Sequence, residues 1–506
     1  MNYDREQLLY RRQFVLSTNH LNCFPTWNHT HIAGKYFLKA HPDLDVRQTR
    51  LGDLELTLLG YIIDPYHPDW TDQDILTDLI EQVTDSESIF RATNRFGGRW
   101  ILFLYDGNKT LSFSDPCGLR SIFFTKEDKE PFMCASQPSL MANMLGLHPS
   151  DDARRYYLET ATYMDDIEYW VPGGASVYDE IAQLLPNHFL NLNTRKQTRF
   201  WPWEKRQAIE FEVGILQASK LLKRMMIAAA ERFPLAVTMT AGFDTRSILA
   251  ASREISHRLY FYTMLYYNLT HRSPDVEIPK RVLLRCGLEH HILDCSGDMD
   301  EEFREIYMQN VSLAHEAWGN IACGLYHNYS PERVSVKGVC SEIGRMTSSR
   351  YGYLEELDGE TLAEIFFMGD SQFAVDHFDR WVSKSLELIA KYNYRVLDLF
   401  YWEHKLGSWQ ATSQLEWDIV QETFSPYNCR ELLVTLLSVD ERYRRKPAER
   451  LMRAIMNELW PIVLEESLNP RPLYIKLRKR FRLIWRSKRM RTIRTNLKRW
   501  LSDDQA

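Results

Sequence analysis

The sequence predicts a two-domain α/β protein. An antiparallel β-sandwich with flanking helices is expected over residues 1–205, then a parallel α/β domain with a mainly helical extension over 206–470, then a basic amphipathic tail over 471–506. Three observations carry this. The 506 residues exceed the roughly 100–200 of a usual single domain. From about residue 30 to 200, short β-branched and aromatic runs such as LELTLLGYIIDPYHP and RWILFLYDGNKTLSFSD are broken by Gly, Pro, Asn and Asp. After Trp203 the rhythm becomes helix, apolar strand, tight turn and helix, the alternation of a parallel sheet covered on both faces.

In the first domain, residues 73–95 have helical spacing through Ile75, Leu79, Ile80 and Val83. Asp106-Gly107-Asn108 reads as a hairpin turn, since Gly and Asn accept the positive φ that tight turns demand. In the second domain, 215–232 reads as helix, Leu235 to Met239 as a buried strand, 247–255 as helix and 257–267 as strand. Beyond Ser348 the pattern is mainly helical, through the segment 441–466, and no internal repeat is visible.

Hydrophobic residues at 44% and charged residues at 26% exclude a disordered, collagenous or low-complexity chain. No apolar run reaches the roughly 18–20 residues of a membrane span, and the opening MNYDREQLLYRRQF lacks the apolar core of a signal peptide, so the expected location is cytoplasmic. Eight scattered cysteines form no CxxC pair and no Cys/His spacing usual for zinc, which argues against a disulfide framework or structural zinc. Residues 471–501 hold 13 Lys/Arg and no acid against an overall charge of −6, so the remainder carries −19.

The segment LAVTMTAGFDTRSILAAS is an apolar strand, the turn Thr240-Ala241-Gly242-Phe243-Asp244-Thr245, and a helix. Small residues let backbone approach a ligand, and the helix start offers free N–H groups to phosphate. The Lys of a Walker loop is missing. The Thr240 and Thr245 hydroxyls could donate to pyrophosphate, and Asp244 would need a magnesium ion between itself and phosphate. The same residues also fit a plain strand-to-helix turn capped by Asp244.

This turn resembles the SGGxDS pyrophosphate loop of the asparagine synthetase family, with Thr, Ala and Thr replacing the first Ser, first Gly and last Ser. The downstream order is similar too: a strand, then SPDVEIPKRVLLRCGLEHHILD, then VSVKGVCSEIGR. The last resembles the family's Gly-x-Gly-x-Asp/Glu loop, with Gly338 and Cys340 at the glycines and Glu342 at the acid. The resemblance implies an ATP-pyrophosphatase domain in which Mg2+ is held by Asp244 and Glu342, as in the related β-lactam synthetases. It places Met264 and Gly338 with 240–245 among the ATP-binding residues, and Arg345 near phosphate or substrate. ERYRRKPAERLMRAIMNELW resembles the segment that carries a catalytic lysine. Glu449 falls at that lysine, so Lys446, one helical turn away, is the expected substitute, supported by Arg453.

FGGRWILFLYDGNKTLSFSDPCGLRSIFF and PGGASVYDEIAQLLPNHFLNLNTRKQTRFW resemble the family's class II amidotransferase domain. Its N-terminal catalytic cysteine is replaced by Asn2, and its glutamine-binding Gly-Glu-x-x-Asn by Gly60-Tyr61-Ile62-Ile63-Asp64. The resemblance therefore implies a carbon-nitrogen ligase without glutaminase activity. It would adenylate a small-molecule or peptide carboxylate and use ammonia or a substrate amine, as β-lactam synthetases and lasso-peptide cyclases use an amine within the substrate. The competing expectation is a non-catalytic binding or scaffold protein recruited through its tail. In 471–501, apolar residues three or four apart alternate with cations, the pattern of a helix on an anionic membrane surface at its inner face. A helix docked on the acidic body fits equally, and no motif accompanies the charge to indicate nucleic acid.

Overall fold

A computed structural model describes residues 3–164, 168–330, 332–345 and 357–470. The basic segment 471–501 and Asn2 lie outside the described residues.

The first part is built on two antiparallel six-stranded sheets. One runs in the order β10 (Ile181–Gln183), β8 (Phe123–Thr125), β9 (Met133–Ala135), β1 (Phe14–Ser17), β3 (Tyr36–Ala40) and β2 (Asn28–Ile32). The other runs β12 (Lys196–Arg199), β11 (His188–Asn191), β7 (Thr110–Ser114), β6 (Gly97–Tyr105), β5 (Leu54–Ile63) and β4 (Val46–Leu51). Phe14, Leu16 and Leu38 of the first sheet pack with Leu59, Ile101 and Phe103 of the second, so the sheets form a sandwich. The outer face of the second sheet, Leu56, Leu58 and Leu102, packs on Ile75, Leu79 and Ile80 of the helix Asp72–Glu81. Thr71 and Asp74 form a capping box that starts this helix. Burial on both faces explains why LELTLLGYII is nearly continuous in apolar residues instead of alternating. The turn at 106–108 joins β6 to β7, with Gly107 at φ 86°.

The second part is a parallel five-stranded sheet in the order β15 (His291–Asp294), β14 (Tyr260–Leu265), β13 (Leu235–Thr238), β16 (Val334–Val336), β17 (Thr423–Phe424). Helix Phe211–Arg232 precedes β13 and buries Ala218, Leu222, Met225 and Ala229 in the core shared with Val237, Phe261 and Val336. The opposite sheet face, Ala236 and Tyr262, packs on Phe303, Ile306 and Ala322 of helices Glu301–Asn310 and Glu316–Asn328. The sheet is thus covered on both faces, as the buried strand at 235–239 predicts.

Three elements differ from the expectation. The helix expected at 247–255 runs from Phe243 to Ala251, placing Asp244 in its first turn. The segment 441–466 is not one helix: a short helix Glu441–Arg444, a turn and then Arg450–Leu459 follow one another. Within the helical region lies β17, whose two residues complete the sheet edge by pairing with Ser335 and Val336.

Candidate nucleotide and metal site

β13 leads to β14 on one side of the parallel sheet, and the chain crosses to β16 on the other. The connections leaving β13 and β16 therefore diverge at their carboxyl ends and open a crevice, the usual ligand position in an open α/β sheet. Residues 240–245 follow β13 and residues 338–342 follow β16, so the topology brings both sequence-predicted loops to this switch point. Gly338 touches Asp244 so closely that a Cβ added there would lie 2.5 Å from the Asp244 Cβ. Cys340 has φ 74°, the left-handed conformation that glycine adopts without strain.

The turn is largely bonded internally. Thr240 and Thr245 share a hydroxyl contact of 3.1 Å, and the Gly242 N–H donates to Thr240 Oγ1 at 3.1 Å. The Ala241 N–H donates to Asp275 Oδ1 at 3.1 Å, and the Asn469 N–H donates to the Ala241 carbonyl at 2.9 Å. The two threonine hydroxyls thus shape the turn. Gly242 is the N-cap of Phe243–Ala251, and no side chain caps that end. Among the described residues its first N–H groups have no side-chain cap, and they stand at the positive end of the helix dipole.

Behind the turn lies a cluster of charge. Arg345 contacts Asp244 Oδ1 through Nη1, and its Nε donates to Glu449 Oε1 at 2.8 Å. The Ser341 hydroxyl also donates to Asp244 Oδ1. Burial opposes the Arg345 charge, but the Asp244 and Glu449 carboxylates outweigh it and raise its pKa. Burial, and next the neighbouring Asp244 carboxylate, push Glu342 up to about 7. Among the described residues, Glu342 Oε2 is sealed from solvent without a hydrogen-bond partner. An orphaned carboxylate oxygen beside a second carboxylate suits a hard divalent cation, so Asp244 and Glu342 fit Mg2+ as a donor pair.

The remaining expected residues are placed as follows. Lys446 is in the turn before helix Arg450–Leu459, so the one-helical-turn relation to Glu449 does not hold. It is nevertheless close enough to the cluster that Arg345 lowers its pKa after burial does, while Glu449, Asp244 and Glu342 act in the opposite sense. Glu449, at φ 43°, turns its carboxylate onto Arg345. Arg453 donates to the Ala448 carbonyl at 3.2 Å and lies 5.0 Å from the Phe243 ring centre, so it braces the turn and the helix start. Phe243 is buried, with Arg345 over the ring at 5.4 Å. Met264 lies near the end of β14 and packs with the cluster of helices 301–328. Sequence reading missed the roles of Asp275, Ser341 and Glu449 in this network. Asp275 carried a signal, since an acid follows Ser-Pro at a helix start, but its bond to Ala241 spans 34 residues.

The first part's replaced positions are also occupied structurally. The Tyr61 hydroxyl donates to the Thr423 carbonyl of β17 at 2.6 Å, and Asp64 bonds the Arg95 Nε at 3.0 Å.

No family model matches the chain, and no curated protein matches it. Among solved structures, one described as the allosteric regulatory enzyme of purine biosynthesis is similar at 11% identity and TM-score 0.25, over 60% of this chain and 73% of that one. Another, the glutamine phosphoribosylpyrophosphate amidotransferase from B. subtilis complexed with ADP and GMP, is similar at 10% identity and TM-score 0.21, over 69% and 74%. The architecture stands on the chain's own sheet order.

Proposed function

We propose that the protein is an ATP-dependent amide-forming ligase of the asparagine synthetase type, without glutaminase activity. It activates a substrate carboxylate as an acyl-adenylate, releases pyrophosphate and passes the acyl group to ammonia or a substrate amine. The observation that supports this reading most is the meeting of Asp244 with Glu342, whose Oε2 has no hydrogen-bond partner among the described residues, at the sheet's switch point beside an uncapped helix start.

Each group has a distinct task. The N–H groups at Phe243–Ala251 bind phosphate oxygens, and Asp244 with Glu342 would hold Mg2+. Mg2+ there would neutralise phosphate charge. Arg345, anchored by Glu449, and Lys446 supply positive charge where it grows on phosphate and carbonyl oxygens. Tyr61 serves the junction between the two parts and Asp64 pairs with Arg95 inside the first, which fits loss of glutamine hydrolysis.

Two observations favour the scaffold alternative. Arg345 already neutralises Asp244, and an acid stands where the resemblance expects the catalytic lysine. Thermal unfolding with and without millimolar Mg·ATP separates the readings. Ligand at 100 times its dissociation constant adds about 2.7 kcal/mol to the folded state. The expected result is a midpoint raised by several degrees in the wild type and unchanged in Asp244→Ala. No shift in the wild type would remove the ligase reading.

A further inference from the structure

A second cluster of donors lies on helices Glu301–Asn310 and Glu316–Asn328, and it shares no residue with the nucleotide loops. Cys323 and His327 are four apart on Glu316–Asn328, the spacing that puts two side chains on one helix face. Asp300 is the N-cap of Glu301–Asn310 and accepts the Phe303 N–H at its Oδ1, 3.0 Å away. That bond leaves Oδ2 to turn toward the other two. One donor atom each from Asp300, Cys323 and His327 lies within 4.8 Å of the others. In a tetrahedral zinc site, ligand atoms sit about 3–4 Å apart, so small side-chain rotations close the set.

The hydroxyl of Tyr3 marks the focus of the three. It donates to Asp300 Oδ2 at 2.5 Å and lies 3.2 Å from His327 Nε2 and 4.0 Å from Cys323 Sγ. The Tyr3 ring is held by Phe303 and Tyr326 at centroid distances of 5.5 and 5.2 Å. One buried polar atom therefore already sits where it meets a sulfur, a nitrogen and an oxygen donor.

We propose that Asp300, Cys323 and His327 bind one divalent transition-metal ion of the zinc class, the ion taking the focus that the Tyr3 hydroxyl marks and water the fourth position. The donor set selects the metal class. Thiolate and imidazole disfavour the hard ions Mg2+ and Ca2+, and a mixed S, N, O set is satisfied by tetrahedral Zn2+ or Co2+. Binding displaces the thiol proton of Cys323, whose pKa burial raises, so uptake releases a proton to solvent. Bound metal cross-links the two helices covering one face of the parallel sheet. The Cys-x3-His spacing with a distant Asp matches no usual zinc pattern, which is why the sequence argued against such a site.

The test is a Co2+ titration of the full chain after chelator treatment. The expected result is thiolate-to-cobalt charge-transfer absorption with tetrahedral visible bands, saturating at one ion per chain. The absorption should be lost in Cys323→Ser, and affinity should fall at least about tenfold in His327→Ala. Circular dichroism checks that both variants fold. Should either fail to fold, X-ray absorption of the zinc-loaded wild type decides, with one Zn–S distance near 2.3 Å and nitrogen or oxygen near 2.0–2.2 Å expected. Absence of a thiolate band in the wild type, an undiminished band in Cys323→Ser, or a zinc shell without sulfur would overturn the proposal.

Discussion

Replacing Gly338 by alanine would set a Cβ 2.5 Å from the Asp244 Cβ and 3.1 Å from its carbonyl carbon, and two backbones cannot both hold their places at that distance. The expected cost is about 1–3 kcal/mol, as for other overpacked sites. Because the group displaced is Asp244, Mg·ATP affinity should fall in the same variant. Urea unfolding measures the first effect and calorimetric titration the second. A variant as stable as wild type would show that the two loops do not meet as described. The approach of Gly338 to Asp244 follows from two connections that each leave an apolar strand, β13 and β16, and such strands are where local pattern is strong. The Arg345 to Glu449 pair was not legible. It joins residues 104 apart and depends on Glu449 taking φ 43°, which nothing in the neighbouring residues signals.

The helix Phe243–Ala251 allows its stability and its binding role to be separated. Gly242 has φ −80° and ψ 168°, extended backbone open to any residue. Gly242→Asp would place a good capping side chain at an uncapped end, although its Cβ would meet Thr240 Oγ1 at 3.1 Å and move it slightly. Stability should change by no more than about 0.5 kcal/mol, since Gly and Asp differ at an N-cap by a few tenths. The new carboxylate would stand where phosphate is expected, so the thermal shift with Mg·ATP should disappear. A retained shift would place nucleotide elsewhere. This helix start was set four residues late from sequence, because Gly242 lacks the side-chain oxygen that usually marks an N-cap. β17 was missed for a different reason: two residues cannot show a period of two. The antiparallel sheets and β13 were legible because long apolar runs between Gly and Asn turns leave few other structures open.

The two sheet systems are joined by buried charge, and this junction bears on the candidate site. Arg99 pairs with Asp418 through Nη2 at 2.7 Å and with Glu422 at 3.0 Å, while Arg120 and Arg12 reach Glu422 at 3.1 and 3.7 Å. Burial alone would raise the Glu422 pKa, but Arg120, Arg99 and Arg12 outweigh it and hold the carboxyl at about 2. A carboxyl depressed in the folded state contributes stability above its unfolded pKa, near 4.3, and that contribution is lost as pH falls toward 2. Glu422→Gln leaves three guanidiniums short of one acid, which should cost about 3–5 kcal/mol at neutral pH. Urea unfolding between pH 7 and 3 should then show wild type losing stability below about pH 4.3, with the variant weaker throughout and flatter in that window. Parallel curves would show that Glu422 does not carry the acid sensitivity. The consequence reaches the loops, because the Glu422 carbonyl accepts the Ser335 N–H at 2.9 Å and the Phe424 carbonyl accepts the Lys337 N–H at 2.8 Å. Those bonds align β16, which ends at the residue before Lys337 and Gly338. A loosened Glu422 should therefore weaken Mg·ATP binding without any contact to nucleotide, and a wild-type affinity in Glu422→Gln would show that the junction and the site are uncoupled.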